Sequence, residues 1–119
     1  VPISVVDPTQ NVLEAAMRGA ELRQTLLTSD LANADTPNFE PQDVDFQSQL
    51  AAAISSGVSP TQVSFQASTQ PQTTNTNGNG VDADQTSSDI AENGLLYQAL
   101  AQVVSANDST LQSAMGLGA

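Results

Sequence analysis

Apolar or small residues recur at alternating spacings of four and three at both ends of this chain. Near the N-terminus the row is Leu13, Met17, Ala20, Gln24, Leu27, Leu31, Ala34. Toward the C-terminus it is Ile90, Asn93, Tyr97, Leu100, Val104, Asn107, Leu111, Ala114. That rhythm averages half a heptad and keeps one helix face against a partner, whereas a strand would need every second residue. Val12, Ala16, Leu22 and Leu26 widen the first stripe. Two stripes of comparable length face each other most simply as an antiparallel hairpin. The expected fold is mainly α: an antiparallel, coiled-coil-like pair of long N- and C-terminal helices with an irregular, partly extended middle loop. Roughly 25 residues in each helix gives a rod on the order of 38 Å. Asn93 and Asn107 fall inside the second stripe, where a buried Asn costs stability and fixes register or partner choice.

Local signals set the boundaries. The reading is one domain over 1–119, with an N-terminal helix over 9–35, a loop region over 36–85 holding a short helix over 47–56, and a C-terminal helix over 86–115. Thr9, after Pro8, is a candidate N-cap, and Ser87 or Ser88 another. Gly19 costs the first helix about 1 kcal/mol against Ala, yet would let a neighbour come close. The helix exit is written in residues 26–39, LLTSDLANADTPNF. Thr36 precedes a proline and is pushed out of the helical region, and Pro37 cannot continue the ladder. Asn33, Asp35 and Asn38 can bond locally to backbone and tolerate turn geometry.

In the middle, Val44 and Phe46 alternate with Asp43 and Asp45, as in a short extended segment. Phe39 and Phe46, two of only three Phe, are expected to dock on the helices. Val63 and Phe65 suit one brief strand. Residues 58–80 read as the least structured part, ending in the turn-rich STQPQTTNTNGNG, a composition that buries too little to offset ordering entropy. A mobile loop ordered by a partner is expected there.

The chemistry available is narrow. Net charge is −11, and Arg18 and Arg23 are the only basic side chains. That excludes nucleic acid as a partner, which rewards clustered Lys and Arg. With neither His, Cys nor Lys present, nucleophilic triads, thiolate metal sites and a P-loop have no reagents. No catalytic, cofactor-binding or metal residue is assigned, and no small-molecule substrate. Residues 75–86 superficially resemble a calcium loop, but Thr86 stands where a bidentate Glu belongs. Asp43 with Asp45, and Asp82 with Asp84, read as solvated acids. Glu14 and Arg18 form a favourable i,i+4 pair, and the functional alternative for both Arg is contact with an acidic neighbouring copy. No run approaches the roughly 18 apolar residues of a membrane span, so no direct membrane insertion is expected.

The helix exit carries a resemblance. Residues 29–39 resemble the signature of bacterial flagellar basal-body rod and hook proteins, roughly S-N-I-A-N-A-x-T-x-G-Y/F. Ser29, Ala32, Asn33, Ala34 and Thr36 match, Asp30 replaces Asn, Leu31 replaces Ile, Asn38 stands for Gly and Phe39 for Tyr. Asp35 and Pro37 occupy the variable places. Asp35-Thr36-Pro37 followed by Asp43-Val44-Asp45-Phe46 looks most like the proximal-rod members. Gly80-Val81-Asp82, Glu92-Asn93 and Tyr97-Gln98 agree at the other end. Asn38 is the best non-glycine choice where a positive φ is required.

The resemblance implies a structural, non-enzymatic subunit of the periplasmic rod of the flagellar basal body. It would be exported by the flagellar type III apparatus without a cleaved signal, and the segment VPISVVDPTQ shows no basic and apolar leader pattern. Its partners would be copies of itself and other rod and base proteins. Leu13, Met17, Leu27, Leu31, Tyr97, Leu100, Val104 and Leu111 are the expected assembly seam. Asn33, Ala34, Asp35, Thr36, Pro37 and Phe39 form the motif loop that meets the next subunit. The rival readings are another rod member and a secreted helical adaptor or chaperone holding one partner.

Overall fold

The computed structural model describes residues 8–70, 76 and 78–117. Two long helices dominate it: α1, Pro8–Ala32, and α3, Ala83–Leu117. They pack antiparallel, because Gln10 meets Asn107 and Ala20 meets Asn93. The fold is thus the mainly helical pair with an irregular middle that the two stripes predict. The helices are not of comparable length, however, having 25 and 35 residues. The end of α3 runs about 12 Å past the level of Pro8.

Both inner helix boundaries differ from the sequence expectation, for reasons visible in the hydrogen bonds. α1 stops at Ala32, before residue 35, because the Asn33 amide folds back to donate to Ser29 O at 2.8 Å. Thr36 then closes a turn, its N–H donating to Asn33 O and its hydroxyl to Asn33 Oδ1. α3 begins at Ala83, before residue 86. Asp82 is its cap in place of Ser87 or Ser88, with its carboxylate accepting from Gln85 N at 3.1 Å and its carbonyl from Thr86 N at 2.8 Å. A carboxylate at the positive end of a helix is favourable twice over, as acceptor and as charge.

A short helix, α2, spans Phe46–Ser55 and is capped by Asp45, whose side chain accepts from Ser48 N. Its first residue builds the core. Phe46 is buried with Ala20 and Val44, flanked by Ala16, Leu22, Leu26, Phe65, Leu96 and Leu100. The Phe46 seat exists because α1 is narrow there: a Cβ on Gly19 would lie 2.5 Å from Phe46 Cβ. Gly19 therefore admits a neighbour at close range, and the neighbour is α2 of the same chain.

The segment read as least structured is held over 58–70. A single 3₁₀ turn covers Pro60–Gln62, and Arg18 donates to Pro60 O at 3.0 Å. Val63 and Phe65 do not form the expected strand. Phe65 instead turns edge-on to Phe46, ring centroids 6.3 Å apart at 90°, and the backbone of Gln66 is held by the Gln49 amide at both N–H and C=O. The strand comes later: β2, Ser68–Thr69, pairs antiparallel with β1, Gln42–Asp43, placing Gln42 opposite Thr69 and Asp43 opposite Ser68. Residues 71–75 and 77 of the expected loop lie outside the described residues.

The shape is a slat measuring 66 × 28 × 15 Å, with a radius of gyration of 18.2 Å. A compact chain of this length would have a radius of roughly 13–14 Å. The thin dimension barely exceeds one helix diameter. Such a body cannot enclose its apolar residues on all sides.

Candidate assembly interface

Three sets of polar contacts join α1 to α3. At one level Asn107 Nδ2 donates to Gln10 Oε1 at 2.8 Å, and Gln10 Nε2 donates to Asp108 Oδ1 at 3.0 Å. Two heptads along, Asn93 Nδ2 donates to Gln24 Oε1 at 2.9 Å and to Ala20 O at 2.8 Å. Asn93 is 1 % exposed, and its Oδ1 has no protein partner. Near the loop end Arg23 forks onto both carboxylate oxygens of Asp43, at 3.0 and 3.2 Å, with Asp89 at 3.9 Å. The hydrogen bond to Asp43, with the added fields of Asp43, Asp89 and Glu92, outweighs burial and holds the Arg23 guanidinium above its ordinary pKa. Arg23 is therefore engaged within the chain, and Arg18 bonds Pro60 in place of the expected Glu14.

The motif loop is fastened from the far side of the sequence. Asn79, 1 % exposed, donates from Nδ2 to Asn33 O at 2.7 Å and Thr36 O at 2.6 Å. Its Oδ1 accepts from Val81 N at 2.8 Å, and Gly80 N donates to Phe39 O at 3.0 Å. Asn38 adopts φ 62°, the sole positive φ of a non-glycine among the described residues. Thr36 and Pro37 are exposed, as is Asp35, while Asn33, Ala34 and Phe39 are half-buried. Beneath the loop Asp30 is 4 % exposed and its Oδ1 accepts from Gln42 N at 3.1 Å, tying the end of α1 to β1. Burial, aided by the charge of Asp43 and opposed by the Gln42 hydrogen bond, pushes the Asp30 carboxyl above its ordinary value.

The structure distributes the expected seam residues unevenly. Leu27 is buried; Leu13, Met17, Leu100, Val104 and Leu111 are half-buried. Leu31 and Tyr97 are each 36 % exposed. Leu96, not Tyr97, joins Leu100 on the core. Tyr97 lies over a shallow, mostly apolar depression with Glu21, Gln24, Gly94 and Gln98. The outer face of α3 carries a second row that the heptad reading passes over: Ala91, Leu95, Ala99 and Val103, all exposed, with Leu95 at 68 % and Val103 at 50 %. Residues four apart form one ridge on a helix. The row was available in the sequence as a spacing of four, but a seam counted in heptads skips it.

The roles of Asn79 and Asp30 as fasteners are not legible in the sequence, where Asp30 shows only as a departure from the signature and Asn79 as part of the calcium-loop resemblance. Asn79 sits in an Asn-Gly run that reads as a bare turn, and its partners lie 46 and 43 residues away. Among the described residues no group of three acidic side chains converges as a metal site would require. No described helix is long and apolar enough to cross a membrane.

The arrangement presents helix faces and a fastened loop as surfaces. Comparison with known proteins gives those surfaces a context. The chain is 38% identical to the flagellar basal body rod protein FlgB of Yersinia enterocolitica, over 64% of the chain and 70% of that protein. It is 33% identical to FlgB of Cereibacter sphaeroides, over 80% of the chain and 84% of the relative. Against FlgB of Bacillus subtilis identity is 28%, over 95% of the chain and 97% of the relative. No family model matches the chain.

Proposed function

This chain belongs to the FlgB family of flagellar basal-body rod proteins, and we propose that it serves as a rod subunit through contacts made by its paired terminal helices. The observation that carries this reading is the exposed ridge Ala91, Leu95, Ala99, Val103, which winds along α3 outside the face packed on α1. Alternating small and large residues let a second helix approach closely, ridge into groove. Covering a side chain such as Leu95 would contribute about 1–2 kcal/mol per subunit. Leu31 and Tyr97 are the outward-facing members of the proposed seam; Leu13, Met17, Leu27, Leu100, Val104 and Leu111 would hold the pair while neighbours complete its burial. The motif loop, Asn33, Ala34, Asp35, Thr36, Pro37 and Phe39, would meet the next subunit. Contacts of this head-to-tail kind that do not close on themselves generate a helical tube.

Charge shapes how such a tube forms. Copies carrying −11 each, with Arg23 satisfied internally, repel one another at long range. Assembly would thus be driven by apolar burial and assisted by salt, with no reliance on ion pairs between copies. Other rod and base proteins would offer similar helical faces. A thin subunit with a small core also suits passage through the export apparatus as an unfolded chain, without a cleaved signal.

The test is Leu95→Asp with Val103→Asp in the full chain, introduced in place of the native copy. Both positions are exposed in the monomer, so its thermal stability should change by no more than about 0.5 kcal/mol. Motility and rod-containing basal bodies should be lost. Normal rods from the double variant would sink the reading, and a soluble one-to-one complex in place of a rod would favour the adaptor.

A further inference from the structure

The structure assigns Asn79 a second property: it is a covalent modification site that folding closes, so that the chain records time spent unfolded. Asn79 is followed by Gly80. In a flexible chain the backbone nitrogen after an Asn can attack the side-chain amide carbon, and glycine, lacking a side chain, hinders that attack least. The new bond joins Gly80 N to Asn79 Cγ. The amide nitrogen leaves as ammonia, carrying away the Gly80 amide proton, and a succinimide ring remains. Water opens the ring at either carbonyl, giving Asp or iso-Asp. The sequence consumes only water and involves no oxidant or reductant.

Every participant is held in the folded protein. The nucleophile, Gly80 N–H, donates to Phe39 O at 3.0 Å. The leaving group, Asn79 Nδ2, donates to Asn33 O and Thr36 O, and Oδ1 accepts from Val81 N. Gly80 is buried and Asn79 is 1 % exposed, so water is kept from the ring-opening step. Reaction requires this corner to open first, and the rate falls in proportion to how rarely it does.

The product cannot go back. A carboxylate at position 79 has no hydrogen to donate and would aim negative charge at two carbonyl oxygens, leaving Asn33 O and Thr36 O without their shared donor. A chain that reacts while unfolded thus loses the contact that fastens the motif loop to the entry of α3. This inference stands on the monomer alone and is independent of the assembly reading.

Full-length chain incubated at mildly alkaline pH, in native buffer and in urea, tests it by peptide mapping of the Asn-Gly positions. In urea, Asn77, Asn79 and Asn93, each followed by Gly, should convert at similar rates. In native buffer conversion at Asn79 should slow at least about tenfold. When the urea-aged chain is returned to native buffer, molecules modified at 79 should be depleted from the folded monomer fraction. Asn79→Asp, made directly, should melt at a lower temperature than the wild type. Equal conversion at 79 in both conditions, equal recovery of modified chains in the folded fraction, or wild-type stability for N79D would each overturn the inference.

Discussion

Gly19→Ala sets two effects of known size against each other. In a helix interior the change should stabilise by about 1 kcal/mol, because Gly loses more backbone entropy than Ala on folding. The structure opposes it. The new Cβ would lie 2.5 Å from Phe46 Cβ and 2.6 Å from Phe46 Cγ and Cδ2, nearly 1 Å inside ordinary contact. A ring can swing away about χ1, but a Cβ cannot, since backbone alone fixes it. α2 must therefore lift off α1, disturbing the buried cluster of Ala20, Val44 and Phe46 with its flanking residues. Overpacking of this kind costs about 1–3 kcal/mol, and an overlap with an immovable atom belongs at the upper end. The net expectation is a loss of about 1–2 kcal/mol, read as a lower urea midpoint with unchanged slope. Combining G19A with Phe46→Ala should show strong coupling, the second change removing the ring part of the clash. A G19A protein as stable as wild type, or more so, would refute the claim that close approach outweighs propensity here.

Asp30→Asn restores the residue usual at that place in the rod signature and keeps an acceptor for Gln42 N–H. Because the folded carboxyl is raised above its ordinary value, the native state takes up its proton first as pH falls, so ionised Asp30 costs stability at neutral pH and that cost disappears on acidification. D30N should therefore exceed wild type in thermal stability at neutral pH, with the gap narrowing as pH falls through the raised carboxyl range; a pH-independent gap counts against the assignment. At Asn38, whose φ is 62°, Ala should cost about 1 kcal/mol and Gly only a few tenths, measured by chemical denaturation; equal effects of the two would mean the left-handed backbone is not what selects Asn.

The helices and their pairing were legible because periodicity is a property of many residues together. The exit at residues 32–38 was legible because proline and Asn act on their own backbone. What stayed hidden depends on partners far apart in sequence. Gln49 holds the backbone of Gln66, and Asn79 holds Asn33 and Thr36; neither pairing leaves a period or a local motif. The start of α3 is ambiguous in the sequence because Ser87, Ser88 and Asp82 are all good caps by type; the structure uses Asp82, whose carboxylate accepts from Gln85 N. The exposed ridge of α3 falls outside a seam counted in heptads, which steps from Asn93 to Tyr97, Leu100 and Val104 and passes over Leu95 and Val103. Whether a residue on a long helix faces its partner or solvent is decided by a rotation of one residue, as Leu96 and Tyr97 illustrate.

The polar contacts between α1 and α3 answer a problem that the stripe itself creates. An apolar seam repeating every heptad packs almost as well after a slip of one heptad, about 10 Å along the axis. Apolar burial alone would leave several registers near in energy. Gln10 and Gln24 stand two heptads apart, as do Asn93 and Asn107, and they meet as two equivalent amide rungs. A slip of one heptad breaks both, setting the amides against Leu100 and other apolar or small positions. Each buried amide stranded in this way costs about 1–3 kcal/mol, about twice the net worth of the hydrogen bond it loses, and a slip strands both partners of a rung. The amides thus add little to the stability of the correct register and subtract much from every neighbouring one. A subunit whose outer ridge must align with that of its neighbours gains from this directly, because the position of Leu95 and Val103 relative to the motif loop is then fixed by chemistry and not left to a sliding seam.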